Sequence, residues 1–318
     1  MQGGPRITRR GYVAGLAGAA LLERCAHRAP RRETQVAVVR LREYSQSIYD
    51  EVRRLIATFR LEVRGKRVVL KPNLVEYDPA APINTHPAFV HAVLEAFRGL
   101  EPAEVRIAEG PGHRRGTLDL ADAAGYFATI PRFEDLFTDL NLDEVAPVSL
   151  PNPHSKLRSL YLPKTILAAD LIVSLPKMKT HHWVGATLSM KNFFGLVPGG
   201  VYGWPKNILH WAGIDECIAD LYTLAPKTFA IVDGIVGMEG NGPIQGTAKA
   251  AGVLVAGHDL AAVDATCCRI MAIDPEQIGY LRLASQNGAA RVVQTGETPE
   301  SCRTPFQLLP EHSHLRLG

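Results

Sequence analysis

Lys71, Lys177, Lys179, His181 and Lys191 are the side chains of this sequence whose type and spacing could do chemistry. Four of them stand in "LPKMKTHHWVGATLSMKNFFG", Leu175 to Gly195, a stretch with a further histidine, His182, and no acidic residue. Along an extended chain Lys177, Lys179 and His181 recur with a period of two, so they project to one face. Cations gathered there disfavour one another's protonation, and an arriving carboxylate or phosphate relieves the repulsion. Lysines with depressed pKa values are also the usual source of a general base or Schiff-base amine near neutral pH. His181, Lys191, Lys179 and Glu239 are therefore the candidate catalytic groups. The bland alternative is a solvated basic loop, against which the apolar Trp183 and Val184 argue.

The ligand-binding candidates cluster at other segment ends. "KPNL" places Lys71 and Asn73 after an apolar run, where Pro72 removes a ladder donor. "INTHPAF" places Thr85 and His86 before a helix start, where unpaired N–H groups favour negative charge. Lys177 and Asn192 come from the basic stretch. "DGIVGMEGNGPIQG" surrounds Glu239 with glycines, of which Gly240 and Gly242 are read as part of a loop that lets backbone approach a ligand. That loop lacks the spacing of a nucleotide-binding fingerprint. A divalent metal is conceivable from histidines such as His181 and His210 with a carboxylate, Glu109 or Asp233, although no i,i+3 or i,i+4 ligand pair supports it.

The elements that must position these groups read as α/β. "TQVAVVRL", "KRVVLKPN", "AEVRIAEG", "ADLIVSLPKMK", "TFAIVDG" and "AAGVLVAGHD" are β-branched or continuously apolar runs. Helical periodicity falls between them in "SIYDEVRRLIATFR", in "AFVHAVLEAFRGL" behind Pro87, over Leu188–Phe194, Ile214–Leu224 and Leu260–Ala272, and more weakly in "IPRFEDLFTDL". The stretch from Asn152 to Lys164 reads as an edge hairpin or an inserted loop. The pattern predicts a mostly parallel or mixed sheet with helices on both faces, compatible with a two-lobed shape and a central cleft. In open α/β sheets ligands gather at the carboxyl ends of strands, which is where these candidates stand. Residues 33–318 are expected to form one large domain, since no Pro/Gly/Ser linker divides them.

Composition narrows the partners. With 35 basic against 32 acidic residues the net charge of +3 is too even for a protein that neutralises a run of nucleic-acid phosphates. An anionic small molecule fits better, with a redox protein as a second partner class; the oligomeric state is not written in the sequence. The five cysteines show no CxxC spacing, so no cysteine-ligated iron–sulfur cluster is expected, and Cys267 and Cys268 read as buried hydrophobes. Residues 1–32 differ in kind: Thr8-Arg9-Arg10 precede an apolar stretch from Tyr12 to Leu22, the layout of a twin-arginine export signal with linker. Export would make the twin-arginine machinery a partner and place the chain in the periplasm or cell envelope. Without that role for the N-terminus the location is cytoplasmic.

Taken together, "KPNL", "THP", "EG", "LPKMKTHHWVGATLSMKNFFG", "VDGIVGMEGNGP" and "HDLAAVDA" resemble the domain of unknown function 362 family over about residues 36–288. The positions that match its motifs are Lys71, Asn73, His86, Glu109, Lys177, Lys179, His181, Lys191, Asn192, Asp233, Glu239 and Asp264. The family occurs in bacteria and archaea, sometimes fused to a ferredoxin-type module, whose four-cysteine motif this chain lacks. The resemblance implies no particular reaction. A fainter similarity to the lactate racemase family implies a nickel-pincer cofactor carried by a lysine and ligated by histidine, hence isomerase or racemase-like acid–base chemistry. The competing class is a non-catalytic protein that binds a ligand or cofactor beside an envelope redox system.

Overall fold

The computed structural model describes residues 33–318 except 46, 114–115, 226 and 287–289, and the export signal read over residues 1–32, with Cys25, lies outside them. The first strands are β1 (Glu33–Arg40), β2 (Arg67–Pro72), β3 (Glu104–Glu109) and β4 (Phe137–Asp139). β5 (Val145–Ser149) and β6 (Ser159–Pro163) form a separate antiparallel pair, so the uncertain stretch after Asn152 is one arm of a hairpin outside the main sheet. Next come β7 (Leu171–Leu175), β8 (Lys177–His181) and β9 (Gly185–Thr187). The last four are β10 (Thr228–Asn241), β11 (Gln245–Lys249), β12 (Val253–Gly257) and β13 (Arg291–Gly296).

The main sheet has the order β13-β1-β12-β10-β7-β2-β3-β4. Every neighbouring pair is parallel except those of β12, which runs against both β1 and β10. The fold is thus α/β with a large, mixed, mostly parallel sheet, and the carboxyl ends of β1, β10, β7, β2 and β3 lie along one edge.

Alternation along each strand explains the continuous apolar runs. Val69, Ile172, Ala230, Val232 and Val255 enter one core, while Val68, Leu70, Val173, Ile231 and Leu254 enter the other. With both faces covered, neither set of positions can be polar. The helices of ten or more residues divide accordingly. α1 (Ser47–Thr58) and α2 (Pro87–Arg98) bury Val52, Leu55, Val90 and Val93 on the second face. α3 (Ile214–Leu224) and α4 (Leu260–Ile270) bury Ile218, Leu221, Val263 and Cys267 on the first. Cys267 and Cys268 are fully buried among apolar neighbours.

Three elements differ from the sequence reading. The run Ala169–Lys179 is two strands, because Pro176 has no N–H to offer and its carbonyl accepts instead from Asp233 N at 2.9 Å. The helix expected over Leu188–Phe194 is a short 3-10 turn, Lys191–Leu196, separated from the end of β9 by three residues. Asp264 takes the N–H groups of Ser189 (2.8 Å) and Met190 (3.0 Å), so the chain is pinned before a longer helix can start. The glycine-rich stretch after Asp233 is a strand and hairpin, with β10 continuing to Asn241 and pairing with β11. Beyond the main sheet, β10 also pairs with β8, and β8 with β9, giving a four-stranded extension over the carboxyl edge. An open cleft of about 570 Å³ lies at the opposite edge, among Lys66, Asp170, Lys227 and His258, and not where the lysines meet.

Candidate functional site

At the end of β2 the side chain of Lys71 turns inward, fully buried, and its Nζ lies 2.7 Å from Oε2 of Glu109 at the end of β3. The ammonium also donates to Pro72 O (3.1 Å) and Asn192 Oδ1 (3.2 Å). Glu109 accepts further bonds from the N–H groups of Gly110 (2.8 Å) and Leu74 (3.2 Å). Asn192 returns two bonds, to Lys71 O (2.9 Å) and Ser174 Oγ (3.1 Å), and so locks the 3-10 turn onto the strand ends. A Cβ at Gly195 would stand 2.0 Å from Glu109 Oε1 and 2.5 Å from Lys71 Nζ, which is why that turn needs glycine. Burial still lowers the Lys71 pKa, with Glu109 opposing it.

A second pair sits one strand further along the edge. Lys177 Nζ is 2.6 Å from Asp233 Oδ2, and both groups are buried. Tyr44 closes a ring by accepting from Lys177 at 2.8 Å and donating to Asp233 Oδ1 at 2.8 Å. His86 N donates to Asp233 Oδ2 at 3.1 Å, and the His86 ring stacks on Tyr44 with centroids 3.8 Å apart. His86, not Thr85, caps α2 by accepting from Ala88 N at 3.2 Å. Burial and the Lys177 charge lower the His86 pKa, so the ring is neutral with its proton on Nε2. Burial and the Asp233 charge push the Tyr44 hydroxyl up. Thr85 instead joins strand ends, donating to Leu175 O (2.6 Å) and accepting from Asn73 N (2.9 Å).

Three other lysines have no carboxylate beside them among the described residues. Lys179, fully buried on β8, donates to the carbonyls of Ile83 (2.9 Å) and Pro243 (3.2 Å). Lys206, also buried, donates to Gly110 O at 2.5 Å. Lys191 places its Nζ 3.5 Å from the centroid of the Phe194 ring. Burial pushes each of these ammoniums down to about 7. Like charges deepen the effect: Lys177 and Lys191 act on Lys179, and Lys206 and Lys71 act on Lys191. Burial and Lys191 likewise hold His181 well below the ordinary histidine value and bring His210 down to about 4. His181 Nδ1 accepts from Trp183 N at 3.1 Å, which leaves the proton of the neutral ring on Nε2. Trp183, 59% exposed, meets the His210 ring edge-on with centroids 5.0 Å apart.

The structure therefore brings Lys71, Asn73, Thr85, His86, Lys177, Lys179, His181, Lys191 and Asn192 to the joint between main sheet and extension. Glu239 does not join them. Its carboxylate accepts from Gln307 N (2.8 Å) and pairs with Lys249 (3.3 Å), which clamps the C-terminal segment to β10. Gly240 and Gly242 shape the hairpin. Gly240 turns with φ of 81°, and a Cβ at Gly242 would lie 2.1 Å from Thr180 O on β8. The set Glu109, His210 and Asp233 is no metal site, since the two carboxylates are committed to different lysines. Among the described residues no group of three or more His, Cys, Asp or Glu could hold a metal ion.

Sequence reasoning missed Tyr44 and Lys206. Tyr44 follows the carboxyl end of β1, the position the strand-end rule singles out. Lys206 lies in an irregular segment with no periodicity to mark it and takes a left-handed φ of 63°. Asp264, fully buried, holds Ser189 and Met190 just ahead of Lys191, and burial pushes its carboxyl up to about 7.

Comparison with known proteins agrees with the motifs. The chain is 31% identical over 231 residues to the thylakoid-associated protein sll1697 of Synechocystis sp., a match covering 67% of this chain and 65% of that relative's length. Among solved structures it is similar to the lactate racemase apoprotein of Thermoanaerobacterium thermosaccharolyticum, with a TM-score of 0.48 and 14% identity over 76% of this chain and 57% of the other. A Thermotoga maritima protein gives 0.37 and 13% over 76% and 59%. Likenesses of this strength carry no argument about activity. No helix among the described residues is long and apolar enough to cross a membrane. Residues 68–269, which include all five buried or half-buried lysines of the site, match the family described as Domain of unknown function (DUF362), and to that family the chain belongs.

Proposed function

We propose that this protein binds a small anionic molecule, a carboxylate or phosphate ester, at the joint between its main sheet and the four-stranded extension and moves protons on it. The observation that carries the reading is Lys179, a fully buried ammonium with only two carbonyls for partners. An uncompensated buried cation is costly, and a bound anion removes the cost. Lys179 and Lys191, with pKa values brought to about 7, exchange protons readily at neutral pH. Lys71 and Lys177, already neutralised by Glu109 and Asp233, orient the site and are not its free charges.

Thermal-shift measurement against a panel of carboxylates and phosphate esters tests this. The parent is expected to gain stability with a subset of anions, and K179M and K191M to lose that gain. Identical responses of parent and variants to every anion would remove the basis of the assignment. Turnover of a bound anion, followed by solvent deuterium incorporation, separates an isomerase-like enzyme from a non-catalytic ligand carrier; the complete burial of Lys179 favours a tightly held ligand in either case.

From Arg9-Arg10 and the apolar stretch behind them we also infer export by the twin-arginine route to the periplasm or envelope, where a redox protein is the expected partner class. The name of the Synechocystis relative, thylakoid-associated, agrees with work at a membrane-bounded compartment. A reporter fused behind residues 1–32 that stays in the cytoplasm would overturn the export reading.

A further inference from the structure

We infer a second binding site, in the open cleft at the opposite edge of the main sheet, for a small molecule with an apolar or aromatic body and one anionic group. It is independent of the anion reading above, because the cleft and the buried lysines stand at opposite ends of the strands. The cleft encloses about 570 Å³, a volume usual for sites that hold small molecules. It lies where β2, β7 and β10 begin. Its walls come from the loop between α1 and β2, the first residues of β7 and β10, the end of α3, and His258 just after β12.

Apolar surface lines the inside. Leu61 packs on the core of the second face, and Tyr222 and Ala225 on that of the first, so the cleft spans the sheet edge between the two cores. All three side chains are only half-buried. His258 forms a fixed wall: its Nδ1 donates to Thr228 O at 3.3 Å, and its carbonyl accepts from Thr228 Oγ1 at 3.1 Å. Its ring meets Phe59 and Phe229 edge-on, with centroids 5.8 and 5.1 Å apart. The surface is already formed, so a ring or chain laid on it leaves water at little ordering cost.

The rim is cationic. Arg60, Lys66 and Lys227 line the cleft, and none of them forms an ion pair among the described residues. Two carboxylates line it as well, but Asp170 accepts from Arg67 N at 2.8 Å and lies 3.6 Å from Arg67 Nε, while Glu62 is exposed to solvent. Three cations against these two leave a positive surplus that one anionic head group balances. Arg60 is placed there under strain. It follows the last turn of α1 with a left-handed φ of 49° and donates its N–H to Ala57 O at 3.2 Å, in a position where glycine is the unstrained residue. A cation held on strained backbone beside a cavity is a departure of the kind that gathers at ligand sites.

Isothermal titration of the full chain with naphthalene-2-sulfonate, its neutral sulfonamide and inorganic sulfate tests the inference. The sulfonate is expected to bind about fivefold or more tighter than the sulfonamide, through the rim cations, and about tenfold or more tighter than sulfate, through the apolar wall. K66M and K227M are each expected to weaken sulfonate binding about threefold, and A225W, which fills the cleft, to abolish it, all three with the circular dichroism of the parent. A sulfonate affinity unchanged in K66M, K227M and A225W would put the probe elsewhere and overturn the site. Sulfonamide or sulfate binding as well as the sulfonate would overturn the ligand class and the inference with it. Absence of both heat and thermal stabilisation with all three probes would also overturn it, and would leave the reading of Lys179 untouched.

Discussion

Lys71 and Lys177 are buried as deeply as Lys179 and Lys206, yet the first two have a carboxylate within 2.7 Å and the others have only carbonyl oxygens. The same side chain at the same depth thus stands in two electrostatic situations a strand apart. A paired ammonium is internally balanced and holds the fold's edge together. An unpaired one stores a mismatch that deprotonation or an arriving anion can relieve. The difference separates the residues that build the site from those that would meet a ligand.

The contrast can be broken from the paired side first. E109Q and D233N each strand a buried ammonium, and each is expected to lower stability by about 3–5 kcal/mol in chemical denaturation. G195A attacks the same pair sterically, since its methyl group would enter the space of Glu109 Oε1; a loss of about 2–3 kcal/mol is expected from the same measurement. From the unpaired side the sign reverses. K179M removes a charge that has no counter-charge, so at pH 7 stability is expected to hold or rise by about 1 kcal/mol while the response to anions disappears. Denaturation of K179M that resembles that of E109Q would erase the distinction.

The pH profile sharpens the comparison. Lys179, Lys191 and Lys206 release their protons at about 7 in the folded state and near 10.5 when unfolded. Between those values the unfolded chain binds more protons, so the contribution of these lysines to stability rises with pH from about 7 to 10.5 and is flat below. A saturating anion is expected to flatten the rise. Asp264 acts in the opposite sense: its carboxyl, up at about 7 from 3.8, makes stability fall with rising pH across that interval, and D264N removes the fall. The smallest effect belongs to Y44F. It deletes the hydroxyl's bond to Asp233 and the bonds it accepts from Lys177 and Val236 N, but leaves the Lys177–Asp233 pair, for an expected loss of about 1 kcal/mol by denaturation.

Much of this was legible before any coordinates. Continuous apolar runs named the sheet, and the strand-end rule brought Lys71, Glu109, Lys177 and Asp233 to one edge. The pairing was not legible: a sequence shows that Lys71 and Lys177 end strands, but not that β3 and β10 lie beside them to supply carboxylates. Glu239 misled because glycines on either side suggested a loop, whereas the stretch is a strand whose glycines let β8 pack closely. Lys206 stayed hidden because its place comes from a left-handed backbone turn and a carbonyl 96 residues away in sequence.

β10 crosses from the main sheet into the extension as one unbroken strand, with Asp233 opposite Lys177 and Met238 opposite Lys179. The register shifts between these two pairs, and the continuous backbone of β10 ties the extension to the main sheet across that shift. If Lys179 receives an anion as proposed, the carbonyls of Ile83 and Pro243 have to let go of the ammonium first. Capture gated in that way is slow to begin and slow to reverse, so long residence, more than fast encounter, is the kinetic signature to look for.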